Sequence, residues 1–151
     1  VTQHRIAELT APEVAARLAA GACAILPMGS LETHGPQAPM GDYLLAEAIA
    51  ARIAAHAAAA GADALVLPPI PFGGEDFFSF VPGGVVLTPA TLQAVIEEVC
   101  DNLIRTGTRR ILIINGHAGS IAPTDAATRA LRRKHGLRIP TLHLWRAAGA
   151  L

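Results

Sequence analysis

The sequence predicts an α/β fold, one layered domain in which a mostly parallel β-sheet is flanked by helices. Two observations carry that expectation. Segments with apolar residues at helical spacing alternate with short apolar runs, in the order helix, strand, helix, strand, loop, helix, strand, helix, strand. One of those runs, Arg110 to Asn115 (RILIIN), is apolar without alternation, as expected of a strand covered on both faces of a parallel sheet.

Each element has its own local signal. Thr10-Ala-Pro-Glu13 reads as an N-cap with proline near the first helical position and glutamate at the third, opening a helix that ends near Gly21. Ala22 to Met28 then reads as a buried strand. Leu44 to about Ala60 carries Leu45, Ile49 and Ile53 four apart, which predicts an apolar helical stripe stopped by Gly61. The alanines within it are read as helix propensity and composition bias. Ala64 to Leu67 is a short strand closed by Pro68-Pro69. From Pro71 to Pro89 the chain is Phe- and Gly-rich and shows no period, which is the character of a functional loop. Thr88 or Thr91 caps the next helix, which passes through Val95, Val99 and Leu103 to about Thr106. After the RILIIN strand a helix from about Ala122 to His135 ends at Gly136, and Ile139 to Leu144 forms the last strand.

Composition narrows the function classes. With 151 residues and 52% hydrophobic content the chain is long enough to bury one core. Its 12 basic residues are balanced by 12 acidic ones, which argues against a nucleic-acid partner or an anionic membrane surface. Cys23 in a strand and Cys100 in a helix read as small buried hydrophobes, not as a disulfide framework. There is no signal-peptide pattern and no apolar run long enough to span a bilayer, so a cytoplasmic protein is expected.

The chemistry concentrates in two segments. In LPMGSLETHGPQAPMGD (26–42) Glu32 and His34 lie two apart, so in an extended stretch they leave the same face, and Asp42 follows on a loop rich in Gly and Pro. In NGHAGS (115–120) His117 has a similar strand-to-loop setting. Ligand sites in open α/β sheets gather beyond the carboxyl ends of the strands, where both segments fall. Imidazole and carboxylate donors suit Zn²⁺, Mn²⁺ or Fe²⁺, and the lack of clustered thiolates argues against a structural Cys-type zinc site. Glu32, His34, Asp42 and His117 are therefore the expected metal ligands. Glu75, Phe78 and Ser120 are the candidates for substrate contact. Phe77, Phe80 and Trp145 are candidates for lining a pocket or a subunit contact. His4, His56, His135 and His143 read as ordinary surface or core histidines.

These residues carry a resemblance. LPMGSLETHGPQAPMGDYLLAEAIA (26–50) and RRILIINGHAGS (109–120) are similar to the two signature segments of the creatininase (creatinine amidohydrolase) family, metal-dependent hydrolases of C–N bonds, and PFGGEDFFSFVPGGVVLTPATL (71–92) resembles its middle segment. The resemblance covers nearly the whole chain. It implies a creatininase-like fold over 1–151, with Glu32, His34, Asp42 and His117 at the family's metal-ligand positions and Asp42 in the bridging one. There are departures. The loop from His34 to Asp42 is one residue shorter, Gln37 replaces the second His of the family's HGPH, Phe78 stands at the usual His, and Gly84 stands for a Thr. Gly119 sits where creatininase has a glutamate, and the downstream carboxylate segment of other relatives is not within the 151 residues, which suggests a fragment or a minimal relative with an incomplete second metal site.

The resemblance implies a metal-dependent amidohydrolase acting on a non-peptide or cyclic C–N amide bond of a small molecule through a metal-activated water. The divalent metal is expected to be zinc first, with manganese or iron as alternatives, and the protein is expected to be a homo-oligomer, hexameric as in similar proteins. Ligand counting gives Glu32, Asp42 and His117 to one ion and leaves His34 with a shared Asp42 oxygen for another, Asp125 being the one later carboxylate considered as a replacement. Two other readings stay open: a non-catalytic module holding a phosphate on NGHAGS, and a structural remnant of the fold.

Overall fold

Cys23–Met28 (β1), Ala64–Val66 (β2), Ile111–Asn115 (β3) and Thr141–His143 (β4) form one four-stranded sheet in the order β2-β1-β3-β4, with every pair parallel. The computed structural model describes residues 3–74, 78 and 80–149. Helix Ala11–Ala19 (α1) precedes β1, helices Asp42–Ala59 (α2), Pro89–Arg105 (α3) and Ile121–His135 (α4) supply the connections, and a short helix Leu144–Ala148 (α5) follows β4. The alternation expected from the sequence is present. Among the described residues no helix is long and apolar enough to cross a membrane.

Strand pleat sorts the core into two layers. Ala24, Leu26 and Met28 of β1, with Ile111 and Ile113 of β3, pack against Leu92, Ile96, Cys100 and Ile104 of α3 and Ala127 and Leu131 of α4. Ile25 and Ile114 face the other way, onto α2. Alternate residues of a strand leave opposite faces, so uniformly apolar strands require helices on both sides. Burial pushes the Cys100 thiol up to about 12, as expected of an inert core cysteine.

Two apolar stripes fall elsewhere than the periodicity predicts. On α2 the residues buried against the sheet are Ala46, Ala50 and Ala54, whereas Leu45 is 43% exposed and Ile49 and Ile53 are half-buried at the flank. The cause is proximity. A Cβ at Gly116, just past β3, would lie 3.3 Å from the Ala46 Cβ, so the helix approaches too closely for larger side chains. The alanines treated as composition bias are thus the packing face. On α3 the buried row is Leu92, Ile96, Cys100 and Ile104, with Val95, Val99 and Leu103 half-buried beside it.

Helix ends follow their local chemistry. Thr10 and Glu13 form the expected capping box, and the Thr88 side chain accepts from the Thr91 N–H. Gly136 ends α4 in the left-handed conformation at φ 68°, after a last turn of Arg132, Arg133, Lys134 and His135. Lys134 and His135 also bind Asp101 of α3, at 2.7 and 2.6 Å, and hold its carboxyl down to about 2. Two boundaries move: α2 begins at Asp42 itself instead of Leu44, and the last strand is cut to Thr141–His143 because Leu144 opens α5.

The sheet order sets where a ligand can bind. From β1 the chain crosses to β2 on one side and then to β3 on the other, so the carboxyl ends of β1 and β3 diverge at a topological switch point. Overpacking the close α2 contact by Ala50→Leu is expected to destabilise the fold by about 1–3 kcal/mol in urea unfolding, whereas Leu45→Ala stays within about 0.5 kcal/mol. A larger loss from Leu45→Ala than from Ala50→Leu would restore the leucine stripe as the core face.

Candidate metal centre

The loop after β1 is folded back on its own start. A Cβ on Gly29 would lie 2.3 Å from Asp42 Oδ1 and 2.4 Å from the Tyr43 nitrogen, so only glycine lets β1 pass this close to the first turn of α2. There the Ser30 N–H donates to Asp42 Oδ1. The Glu32 N–H donates to the Met40 carbonyl at 3.0 Å, which closes the loop and draws Glu32 and Asp42 together. Both carboxylates are buried, at 6% and 7% exposure. Asp42 is the first residue of α2, where the helix dipole favours an anion.

The two histidines approach this pair from different segments. His34 Nδ1 lies 2.7 Å from the Pro39 carbonyl, which only accepts, so Nδ1 carries the proton and the lone pair is on Nε2. That Nε2 is 3.8 Å from Glu32 Oε1 and 3.9 Å from Asp42 Oδ2. His117 arrives beyond β3, where the Gly116 N–H donates to the Met28 carbonyl at 2.9 Å and the His117 N–H donates to Asn115 Oδ1 at 3.0 Å. Its Nδ1 is 3.3 Å from both Glu32 Oε1 and Asp42 Oδ2. Gly73 backs the ring: a Cβ there would lie 2.7 Å from His117 Cδ2.

These spacings bear directly on a metal. Metal–ligand lengths of about 2.0–2.2 Å around a tetrahedral ion put ligand atoms roughly 3.3–3.6 Å apart. The His117 contacts match that spacing, and the His34 contacts are slightly longer. Donor atoms of Glu32, His34 and Asp42 all fall within 4.8 Å of one another, so this group could hold a metal ion. Burial pushes the Glu32 carboxyl above its ordinary value; His117 opposes this, Asp42 adds to it, and His34 opposes it again. A cation among these groups would relieve the cost of two buried carboxylates.

A cleft of about 560 Å³ opens over the four side chains, and Phe78, Ile121, Ala122, Trp145 and Arg146 line it with them. Of the substrate candidates, Phe78 is on this wall. Ser120 is not. It is fully buried and its Oγ accepts from the Gly74 N–H at 3.4 Å, so it fixes loop to loop instead of facing the cleft. Glu75, with Asp76 and Phe77, lies outside the described residues. Asp125 is turned toward His143, with Oδ1 3.5 Å from His143 Nε2, and so does not supply the extra carboxylate considered for it. Arg146 and Trp145 reach the cleft through α5, an element that the strand-like pattern before it conceals.

Known proteins share this arrangement of chain. A family model described as creatinine amidohydrolase matches residues 7–150. The creatinine amidohydrolase of Pseudomonas putida is 36% identical over 141 residues, covering 84% of this chain and 51% of that protein. The mycofactocin precursor peptide peptidase of Mycolicibacterium smegmatis (strain ATCC 700084 / mc(2)155) is 34% identical over 110 residues, 72% of this chain and 44% of that one. Among solved structures, a manganese creatininase superposes with a TM-score of 0.80 at 30% identity, over 96% of this chain and 60% of the other. A zinc–zinc form of a mutant creatininase gives 0.81 at 28% identity, over 97% and 60%. The chain spans about half the length of the curated relatives it matches. With its parallel sheet, its buried Glu/His/Asp group and these similarities taken together, the chain belongs to the creatininase family.

Proposed function

We propose that this chain is a metal-dependent amidohydrolase that cleaves a non-peptide or cyclic C–N amide bond of a small molecule. One observation carries most of the weight: two buried carboxylates and a buried imidazole, brought from the ends of β1 and β3, lie at single-ion spacing under an open cleft. Relatives support the chemistry. They include a creatinine amidohydrolase, a peptidase and a creatininase complexed with creatine. A phosphate-binding role for NGHAGS is disfavoured, because Glu32 and Asp42 would repel the phosphate from the same rim.

In this reading Glu32, Asp42 and His117 hold one divalent ion, zinc in first place and manganese or iron as alternatives. When bound, such an ion supplies Lewis acidity toward a carbonyl and lowers the pKa of water. The chain's own residues do the rest. The Ser30 N–H keeps Asp42 oriented at the start of α2, and the Pro39 carbonyl keeps the His34 Nε2 lone pair available beside it. Ile121, Ala122 and Trp145 make an apolar wall that limits water around a bound amide, and Phe78 closes another side. Glu75 is retained as a candidate for substrate contact from the middle loop. Exposed Phe80, Val85 and Trp145 favour a homo-oligomer, hexameric by analogy with similar proteins.

The ligand count also sets a stoichiometry. Position 119, which lines the same cleft as His34, is glycine, and Asp125 is engaged with His143. Elemental analysis after dialysis is expected to find one tightly held divalent ion per chain, none in Glu32→Gln or His117→Ala, and weak amide hydrolysis by these 151 residues. Two equivalents surviving dialysis with robust amide turnover would contradict this. Gly29→Ala is expected to lose the ion and to lower the urea midpoint of unfolding, because the added methyl would meet both the Asp42 carboxylate and the Tyr43 backbone. Undiminished metal retention in that variant would remove Asp42 from the ligand set.

A further inference from the structure

Asn115, the last residue of β3, is 1% exposed and uses its carboxamide in two directions. Oδ1 accepts the His117 backbone N–H at 3.0 Å, and Nδ2 lies 3.1 Å from Nδ1 of His143, its register partner across the β3–β4 pair. An amide nitrogen only donates, so His143 Nδ1 accepts and the ring is neutral with its proton on Nε2. That proton faces Asp125 Oδ1 at 3.5 Å. The hydrogen-bond donors therefore run in one sense, Asn115 to His143 and His117 to Asn115, and Asp125 stands at ion-pair distance beyond them.

The direction matters for the metal site. If the Asn115 amide turned over, its NH₂ would confront the His117 N–H, and two donors would meet in a buried place where an unsatisfied group costs about 1–3 kcal/mol. An acceptor at His143 Nδ1 selects the productive orientation. Two residues on, the Trp145 indole N–H donates to the Gly116 carbonyl, so the segment leaving β4 grips the peptide before His117 at a second point.

We propose that His143 is a positioning residue: through Asn115 it sets the backbone of His117 and so the placement of the His117 imidazole beside Glu32 and Asp42. This rests on the metal reading above, but part of its test does not. In the metal-free protein at pH 7, nitrogen-15 imidazole NMR is expected to show His143 neutral with the proton on Nε2. Zinc affinity, read by competition with a chromophoric chelator, is expected to fall by about 10–100-fold in His143→Leu. His143→Asn, whose Oδ1 can stand in for the Nδ1 acceptor, is expected to recover most of that loss, which a mere volume effect would not allow. A proton on His143 Nδ1, or wild-type zinc affinity in His143→Leu, overturns the positioning role and leaves the metal reading intact. Wild-type protein that binds no zinc overturns the metal reading itself. Should His143→Leu fail to fold, the tautomer of the wild-type ring and the zinc affinity of His143→Asn still decide.

Discussion

Two carboxylates buried side by side are the constraint around which the rest is built. Left alone, Glu32 and Asp42 would repel each other in a place that water hardly reaches. The fold offers partial compensation: the α2 terminus and the Ser30 N–H at Asp42, and the His117 imidazole nitrogen 3.3 Å from both carboxylates, while His34 adds a lone pair that only a cation can use. Such an arrangement stores a preference for positive charge. A divalent cation satisfies that preference with the donors already in place.

Bringing these groups together requires close backbone approach, and the glycines supply it. Gly29 lets β1 pass over the start of α2, Gly73 lets the middle loop lean on the His117 ring, and Gly116 lets α2 descend onto the end of β3. The alanine face of α2 belongs to the same design, since Ala46, Ala50 and Ala54 keep the helix near enough for Asp42 to reach the switch point. Packing in one layer thereby fixes chemistry at its edge.

Much of this could be read from residues alone, and the limits have physical causes. The helix–strand rhythm, the Thr10–Glu13 box and the Gly136 stop are written in local chemistry, which is why they appear as expected. The four residues brought to one point came from motif and strand-end logic, both of which depend only on order along the chain. The buried face of α2 did not follow from hydrophobicity, because the spacing between helix and sheet, not side-chain polarity, decides which row is covered. The Asn115–His143–Asp125 row was invisible for a related reason: it exists only through the β3–β4 register, and nothing near His143 in sequence marks it. Ser120 sits in the right motif but points its hydroxyl at Gly74, a matter of loop geometry that spacing does not encode.

A crystal of the protein grown with zinc and measured on both sides of the zinc absorption edge tests most directly whether Glu32, Asp42 and His117 form a metal site. One strong anomalous peak is expected within coordination distance of Glu32, Asp42 and the His117 imidazole, with His34 at or beyond its edge. A strong zinc peak elsewhere on the molecule, with no anomalous density among those three side chains, would contradict it.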